Sequence, residues 1–184
     1  MATTASPRQE ELLERAYRYA LQNGVADMSL RPLAAAVGSS PRVLLFLFGS
    51  KAGLVQALLD RARRDELALL DRARSASAGE RDLLTVAAEL WGWLAAEEHR
   101  GLLRLWVEGY GRSLLDPDGP WGGFARATVT DWLELLGELP GDAAERTLIL
   151  AVLRGAMLDL LATGELGRVS AAVDRQLELL GAAR

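Results

Sequence analysis

Apolar residues recur at intervals of three and four along most of the chain, which is the spacing of one face of an α-helix. In the first such stretch the apolar positions are Leu12, Leu13, Ala16, Tyr17, Ala20 and Leu21. Just before this stretch, Ser6 can be the N-cap and Pro7 the first helical residue. Gln9 can be the partner of Ser6 in a capping box. Asn23-Gly24 is a helix-ending pair, so we expect the first helix to lie between these signals.

Three segments follow, and each begins with a serine that can cap a helix. These serines are Ser29, Ser40 and Ser50. With Gly38 and Gly49 as the breaks between segments, we expect helices over residues 30–37, 41–48 and 50–74. The sequence SASAG at 75–79 then interrupts the pattern, and we place the domain boundary there.

Beyond this boundary the pattern predicts five more helices, at 80–97, 99–115, 122–138, 142–163 and 165–181. The apolar run VLLFLF at 43–48 could form a strand in isolation, but no alternating segment is present to pair with it. We therefore predict an all-α fold of about nine helices. Its N-terminal domain spans residues 1–50, a connecting helix spans 50–74, and a C-terminal domain spans 75–184.

The net charge of −4 is distributed unevenly. Residues 1–74 contain 11 Lys and Arg against 8 Asp and Glu, whereas residues 75–184 contain 10 against 17. This asymmetry favours anion binding at the N-terminal end. The chain has no cysteine and no signal-peptide pattern, and its apolar runs are far shorter than the roughly 20 residues of a membrane span, so we expect a cytoplasmic protein without a membrane partner.

Each of the three serine-capped helices carries a cation in its first turn, namely Arg31, Arg42 or Lys51. A cation there is unfavourable by roughly 0.3–1 kcal/mol, because the helix N-terminus already carries partial positive charge. An external anion held by the backbone N–H groups and the basic side chain would compensate for this cost. Any one of the three can be a solvated side chain in an arginine-rich protein, but all three together favour a polyanion.

The helices at 30–37 and 41–48 have the pattern of a helix-turn-helix. Ala34 is small where the two helices would cross, Gly38 lies in the turn, and Val37 and Leu44 are apolar on the inner side. In such a motif the second helix enters the DNA major groove, with its N-terminal residues at the base edges.

Residues 8–60 resemble the TetR family of transcriptional regulators. Seven positions match the family pattern in register: Gly38, Ser40, Leu44, Phe48, Ser50, Lys51 and Leu54. The resemblance implies a sequence-specific regulator, a repressor that binds a palindromic double-stranded DNA operator as a homodimer. It also implies that the C-terminal domain binds a small-molecule effector and forms the dimer. It implies no cofactor, no metal and no catalytic residue.

The predicted DNA-binding residues are Ser29, Arg31, Ser39, Ser40, Arg42, Val43, Leu45, Ser50 and Lys51. The family usually has tyrosine and histidine, which bind phosphate, where this chain has Leu45 and Leu47. Apolar side chains contact thymine methyl groups but not phosphate. We therefore expect Val43 and Leu45 to face the bases, while Leu44 and Phe48 form core, and the serines and cations to supply the phosphate contacts.

The C-terminal domain contains the candidate effector and dimer residues. Large apolar rings are typical of ligand pockets, although rings at helical spacing are also typical of plain core. The candidates for the pocket are Trp91, Trp106, Tyr110, Trp121, Phe124 and Trp132. The family resemblance implies that the last two helices pack against their copies in a second subunit. The candidates for that interface are Leu150, Leu153, Met157, Leu161, Val173, Leu177 and Leu180.

Two other classes of function, an enzyme and a module without DNA binding, are alternatives to a regulator. An enzyme would need a catalytic cluster, and His99 in the sequence EEHR is the only histidine. The Glu-x-x-His spacing of di-iron bundles would require glutamate at position 96, which is Ala96. A helical ligand carrier or protein-interaction module with weak or lost DNA binding remains the alternative, because it accounts for Leu45, Leu47 and the acidic charge.

Overall fold

The computed structural model describes residues 6–25, 28–76 and 82–183, and all regular structure in these ranges is helical. The α-helices are α1 (Pro7–Asn23), α2 (Leu30–Ala36), α3 (Pro41–Phe48), α4 (Lys51–Ala76), α5 (Leu83–Ala95), α6 (Arg100–Leu115), α7 (Phe124–Gly137), α8 (Ala143–Thr163) and α9 (Leu166–Ala182). A short 3₁₀-helix, Glu97–His99, precedes α6. The all-α fold class is confirmed. Of the predicted break at 75–79, residues 77–79 lie outside the described residues, and α4 continues to Ala76.

The capping-box prediction at the start of α1 was half wrong. The Ser6 hydroxyl oxygen accepts a hydrogen bond from the Gln9 backbone N–H at 3.2 Å, as an N-cap should. In the described structure, however, the Ser6 N–H does not donate to the Gln9 side chain, so the box is incomplete; Gln9 Nε2 instead donates to the carbonyl oxygen of Leu47 at 2.9 Å. In the same way Arg15 Nη1 donates to the carbonyl of Val37 at 3.2 Å. Side chains of α1 thus satisfy carbonyl groups at the C-terminal ends of α2 and α3.

The turn between α2 and α3 is a Schellman motif. The Ser39 N–H donates to the Ala34 carbonyl at 2.8 Å, and the Gly38 N–H donates to the Ala35 carbonyl at 3.2 Å. Gly38 has φ +69°, in the left-handed region where a Cβ atom is strained. The predicted turn glycine is therefore required by the backbone conformation that joins the two helices.

Replacing Gly38 by alanine should destabilise the protein by about 1–2 kcal/mol, the cost of a left-handed conformation for a residue with a Cβ. The matched control is Gly111→Ala in α6, where an added Cβ has no atom within 4 Å and alanine is the better helix former. This control should be stabilised, by about 0.5–1 kcal/mol. Urea unfolding of both variants measures the difference, and equal shifts of the same sign would contradict the assigned turn.

The chain divides into two compact units, and both are discontinuous in sequence. The first consists of Met1–Asp65 and Arg104–Ala125, and the second of Glu66–Leu103 and Arg126–Arg184. The division therefore falls inside α4, α6 and α7, whereas the sequence pattern placed a single boundary near residue 75. The helix-turn-helix shares its compact unit with the C-terminal part of α6.

The first unit is held together by an apolar core and one polar cluster. Leu12, Leu33, Leu44, Leu54 and Leu58 are fully buried. The Tyr17 hydroxyl donates to Asp65 at 2.9 Å, and the Arg61 guanidinium lies over the Tyr17 ring, 4.7 Å from its centroid. Burial, together with this hydrogen bond, raises the pKa of Tyr17, so the hydroxyl remains a donor at neutral pH. These contacts attach α4 to α1.

The second unit is built on contacts among α5, α8 and α9. Trp91 Nε1 donates to the Ser170 hydroxyl at 3.0 Å, and Trp132 Nε1 donates to the Glu66 carboxylate at 2.7 Å. His99, half-buried, stacks on the Trp93 ring with centroids 3.8 Å apart, and its Nδ1 lies 2.8 Å from the Trp93 carbonyl. The lone histidine thus packs at the junction between α5 and α6.

No described helix on its own is both long and apolar enough to cross a membrane. The pair α3 and α4 meets that criterion of length and composition only when its members are joined, and they are bent by 70° at their junction. Their apolar residues Leu44, Leu54 and Leu58 lie in the core of the first unit.

Candidate nucleic-acid interface

The three first-turn cations lie on the surface of the first unit. Arg31, Arg42 and Lys51 are all exposed, and the first turns of α2, α3 and α4 contain no acidic residue. Within the described part of the chain, none of the three side chains forms an ion pair or a hydrogen bond. Elsewhere on this unit arginines are paired, as Arg8 and Arg15 are with Glu11 at 2.7 and 2.6 Å. Three positive groups are therefore available to an external anion.

The serines at these helix starts differ in how their hydroxyl groups are used. Ser40 Oγ accepts from the Val43 N–H at 3.3 Å, and Ser50 Oγ accepts from the Gly53 N–H at 2.9 Å. Each keeps its O–H as a donor. Ser29 occupies the N-cap position of α2 but its side chain makes no capping hydrogen bond. All three hydroxyl groups can thus donate to an anion at the helix starts.

The α3 helix has a buried side and an exposed apolar side. Leu44 is fully buried, whereas Val43 and Leu45 are each 39% exposed. Leu47 and Phe48 are half-buried. Phe46 is 85% exposed and was missed by the sequence analysis, although its position one turn after Arg42 places it on the outer face. The outer face of α3, consisting of Arg42, Val43, Leu45 and Phe46, thus presents one cation and three apolar side chains.

All nine sequence-predicted DNA-binding residues belong to the first unit and lie between residues 29 and 51. Eight of them are exposed, and Ser39 in the turn is half-buried. An exposed helix, together with exposed cations at three helix N-termini of the same unit, can bind a phosphate backbone and reach base edges. The arrangement offers hydrogen-bond donors and positive charge, which are the groups that a nucleic acid requires.

The fold of this chain is similar to the folds of several proteins of known structure. The multidrug binding protein EbrR complexed with imidazole aligns with a TM-score of 0.68 and 25% sequence identity, over 93% of this chain and 90% of that one. A TetR-like transcriptional regulator from Rhodococcus sp. RHA1 aligns with a TM-score of 0.65 and 21% identity, over 96% of each chain. The chain has a TetR-like fold.

A further TetR-family neighbour is similar in fold alone. The fatty acid degradation regulator FadR from Bacillus halodurans aligns with a TM-score of 0.63 and 15% identity, over 97% of this chain and 96% of that one. EbrR also aligns in a structure complexed with proflavin, at 23% identity over 91% of this chain and 98% of that one, with a TM-score of 0.61. No protein-family model and no curated protein matches the sequence.

In this TetR-like chain the six aromatic residues predicted for an effector pocket divide between the two units. Trp106, Tyr110, Trp121 and Phe124 belong to the first unit, and Trp91 and Trp132 belong to the second. Trp106 and Tyr110 stack with centroids 4.9 Å apart, which fits their i, i+4 spacing. Trp91 and Trp132 are buried, and each donates its indole N–H within the second unit. These two rings are therefore core residues of that unit.

The residues predicted for the dimer interface also fall into two groups. Leu150, Leu153, Met157 and Val173 are each no more than 5% exposed and lie in the core of the second unit. Leu161, Leu177 and Leu180 are half-exposed. The four buried side chains are therefore core residues of the second unit, and only the three half-exposed leucines lie at its surface.

The helix α8 also has an exposed apolar face, which the sequence analysis did not separate from its core face. Its members recur at three and four residues and are Leu148, Ala151, Gly155, Leu158 and Ala162, all exposed. Leu148 and Leu158 are 42% and 47% exposed, and a Cβ added to Gly155 would have no atom within 4 Å. We call these five residues the outer face of α8. Exposed apolar faces of this kind are typical of protein interfaces.

Proposed function

We propose that the protein is a sequence-specific DNA-binding transcriptional regulator, a repressor that binds a palindromic operator as a homodimer and is released by a small-molecule effector. One observation carries the proposal: Arg31, Arg42 and Lys51 are exposed and without a partner in the described structure, at the starts of three consecutive helices. Residues 1–50 would read DNA, and residues 75–184 would supply dimerisation and an effector site. The proposal includes no catalysis and no cofactor.

Each part of the exposed surface has a separate role in this proposal. The hydroxyl groups of Ser29, Ser40 and Ser50 and the three cations would contact phosphates, which fixes the position of the protein on the duplex. The outer face of α3 would enter the major groove. Its apolar side chains suit thymine methyl groups, because these are the only apolar groups that base pairs present in that groove. The operator should therefore contain thymines in each half-site.

The experiment that tests the proposal is selection of bound DNA from a random duplex library at moderate salt. A palindromic sequence with thymine-containing half-sites about 34–36 Å apart, one helical turn, is expected. Enrichment of no sequence, together with unchanged binding to bulk DNA in Lys51→Gln, would exclude the regulator.

A salt titration of DNA affinity tests the assigned phosphate contacts. Arg42→Gln and Lys51→Gln should each reduce the magnitude of the slope of log K against log salt concentration by about 2, because one fewer phosphate is neutralised in each of the two subunits, at about 0.9 per phosphate. Arg72→Gln, near the other end of α4, is the matched control and should leave the slope unchanged. Affinity should be followed by fluorescence anisotropy of a labelled duplex between 50 and 200 mM salt, a range in which such slopes are well resolved. Equal slopes for all three variants would remove Arg42 and Lys51 from the interface.

The dimer in this proposal is supported by the outer face of α8. None of its five members is charged, and Gly155 at its centre would let a second helix approach closely. A two-fold axis would place the same face of two subunits together, as closed dimers require. The half-exposed Leu161, Leu177 and Leu180 would border this contact.

A protein-interaction or ligand-carrier module without DNA binding is the second candidate. The observation that favours it is the exposure of Phe46, which at 85% is the most exposed large apolar residue of the described chain. A partner protein could cover Phe46, Val43 and Leu45 as an apolar patch. Under this candidate Phe46→Ala would abolish partner binding, while Arg42→Gln and Lys51→Gln would change nothing.

A further inference from the structure

A cavity in the first unit combines an apolar wall with two unpaired cations. Its volume is about 370 Å³, within the range of small-molecule sites. Among the described residues, its apolar lining includes Val25, Val55, Pro120 and Trp121, and its charged lining consists of Lys51 and Arg112. All of these residues belong to the first unit.

Three members of the apolar wall are part of the core of the first unit. Val25, Val55 and Trp121 are 2%, 6% and 8% exposed. The Trp121 ring lies against the backbone of α6 at Gly109, where an added Cβ would stand 3.0 Å from the ring. The Val25 N–H donates to Glu108 of α6 at 2.9 Å, which fixes the chain next to the cavity. A flat apolar group would therefore meet a preformed surface.

Among the described residues, the charged rim of the cavity is positive. Lys51 and Arg112 are exposed, and within the described residues neither side chain has an ion pair or a hydrogen bond. The nearby Glu108 accepts the Val25 N–H and is not part of the lining. A cationic ligand would be repelled by this rim, and a neutral one would leave both cations without a counter-charge.

We propose that this cavity binds a small organic anion with a flat apolar body, such as an aromatic carboxylate. The ring would lie against Trp121, Val25 and Val55, and the carboxylate would pair with Arg112 and Lys51. This inference rests on the proposed function in one respect, because Lys51 is also a proposed phosphate contact. A carboxylate bound to Lys51 would compete with the DNA backbone for that cation, so the anion would lower DNA affinity from within the DNA-reading unit.

Three probes with one ring system and different charges test the site on the full chain without DNA. They are 1-naphthoate, the neutral 1-naphthylmethanol and the cationic 1-naphthylmethylamine, each titrated by isothermal calorimetry. The naphthoate should bind at least about 10-fold more tightly than the other two, as expected for a charge-assisted hydrogen bond. Equal affinities for the three probes, or no binding of naphthoate, would overturn the proposal.

The variants assign the binding to this cavity. Arg112→Gln should weaken naphthoate binding about 10-fold and leave naphthylmethanol unchanged, because only the charged contact is removed. Arg104→Gln is the matched control, since Arg104 is exposed on the same helix and does not line the cavity. Circular dichroism should show the wild-type helix content in both variants. Naphthoate binding that is equal in wild type and Arg112→Gln would place the ligand elsewhere and overturn the proposal.

A second titration separates this inference from the proposed function. Naphthoate is added to the complex with the selected operator, and DNA release is followed by anisotropy. Release that is lost in Arg112→Gln and kept in Arg104→Gln supports both proposals. If the chain binds naphthoate but selects no DNA, the anion site is supported and the proposed regulator function is excluded. Conversely, if the chain binds the operator but not naphthoate, only the proposal of the anion site is excluded.

Discussion

A chain in which Leu158 is replaced by glutamate is expected to be monomeric and to bind the operator at least about 100-fold more weakly than the wild type. In the folded single chain Leu158 is 47% exposed, so the substitution leaves the core of the second unit intact. In a two-fold dimer, however, the same face of both subunits forms the interface, so the glutamates of both chains lie in it. Two carboxylates would be brought into an apolar contact, where an unpaired buried charge costs several kcal/mol.

The loss of DNA affinity follows from the loss of the dimer. Two reading heads that are joined in one dimer bind the second half-site as an intramolecular event, which raises the affinity by roughly 10²–10⁴-fold over a single head. A monomer keeps the affinity for one half-site only. The Leu158→Glu chain should still bind a single half-site duplex as the wild-type subunit does, because the outer face of α3 is unchanged.

Light scattering coupled to gel filtration measures the first part of this prediction. The wild type should elute with twice the single-chain mass of 19.9 kDa, and Leu158→Glu with that mass itself. The control is Ala88→Glu, which adds the same charge at an exposed position of α5. A Leu158→Glu protein that remains dimeric would show that the outer face of α8 is not the contact, and the half-exposed residues of α9 would be the next to change.

The helices could be predicted from the sequence because their starts and ends are marked by local chemistry. Serine, proline and glycine act on the backbone within a few residues, so the bounds of α2, α3 and α8 follow without knowledge of the fold. The Gln9 side chain could not be placed in this way. Its hydrogen bond to the Leu47 carbonyl joins residues 38 positions apart in the sequence. A glutamine near a helix start can form a capping box or bind a distant group, and the local sequence does not distinguish the two.

The bounds of the two units could not be predicted from the sequence for a related reason. A contact between segments that are distant along the chain leaves no mark in the composition of either one. The hydrogen bond from the Val25 N–H to Glu108 spans 83 residues and holds part of α6 in the first unit. The SASAG sequence, by contrast, is a local signal, and it predicted a single break in a chain whose compact units are discontinuous.

The candidate sites show where periodicity is informative and where it is not. In α3 one buried residue, Leu44, fixes the orientation of the whole helix, so the outer face follows by counting. In α8 apolar residues surround the helix, and periodicity cannot distinguish the face in the chain's own core from the face left exposed. For this reason the sequence did not show that Leu150 and Leu153 are buried while Leu148 and Leu158 are exposed.

Leu44→Ala should destabilise the protein by about 2–5 kcal/mol, whereas Leu45→Ala should change stability by less than about 1 kcal/mol. The two leucines are neighbours in the apolar run at 43–48, but one is fully buried and the other is 39% exposed. Removing the buried side chain leaves a cavity between α3 and the rest of the first unit. Removing the exposed one creates no cavity, and alanine favours the helix. Urea unfolding followed by circular dichroism measures both changes.

DNA selection with the same two variants distinguishes a recognition helix from a core helix. Leu45→Ala should fold normally and lose the preference for thymine at one position of each half-site, since a single lost base contact costs about 1–3 kcal/mol. Leu44→Ala, where it is still folded at low temperature, should select the wild-type sequence, because Leu44 does not face the groove. If Leu45→Ala instead selects the same operator as the wild type, the exposed leucine contacts no base. The apolar outer face of α3 would then have to bind something other than DNA, and Phe46 would be its centre.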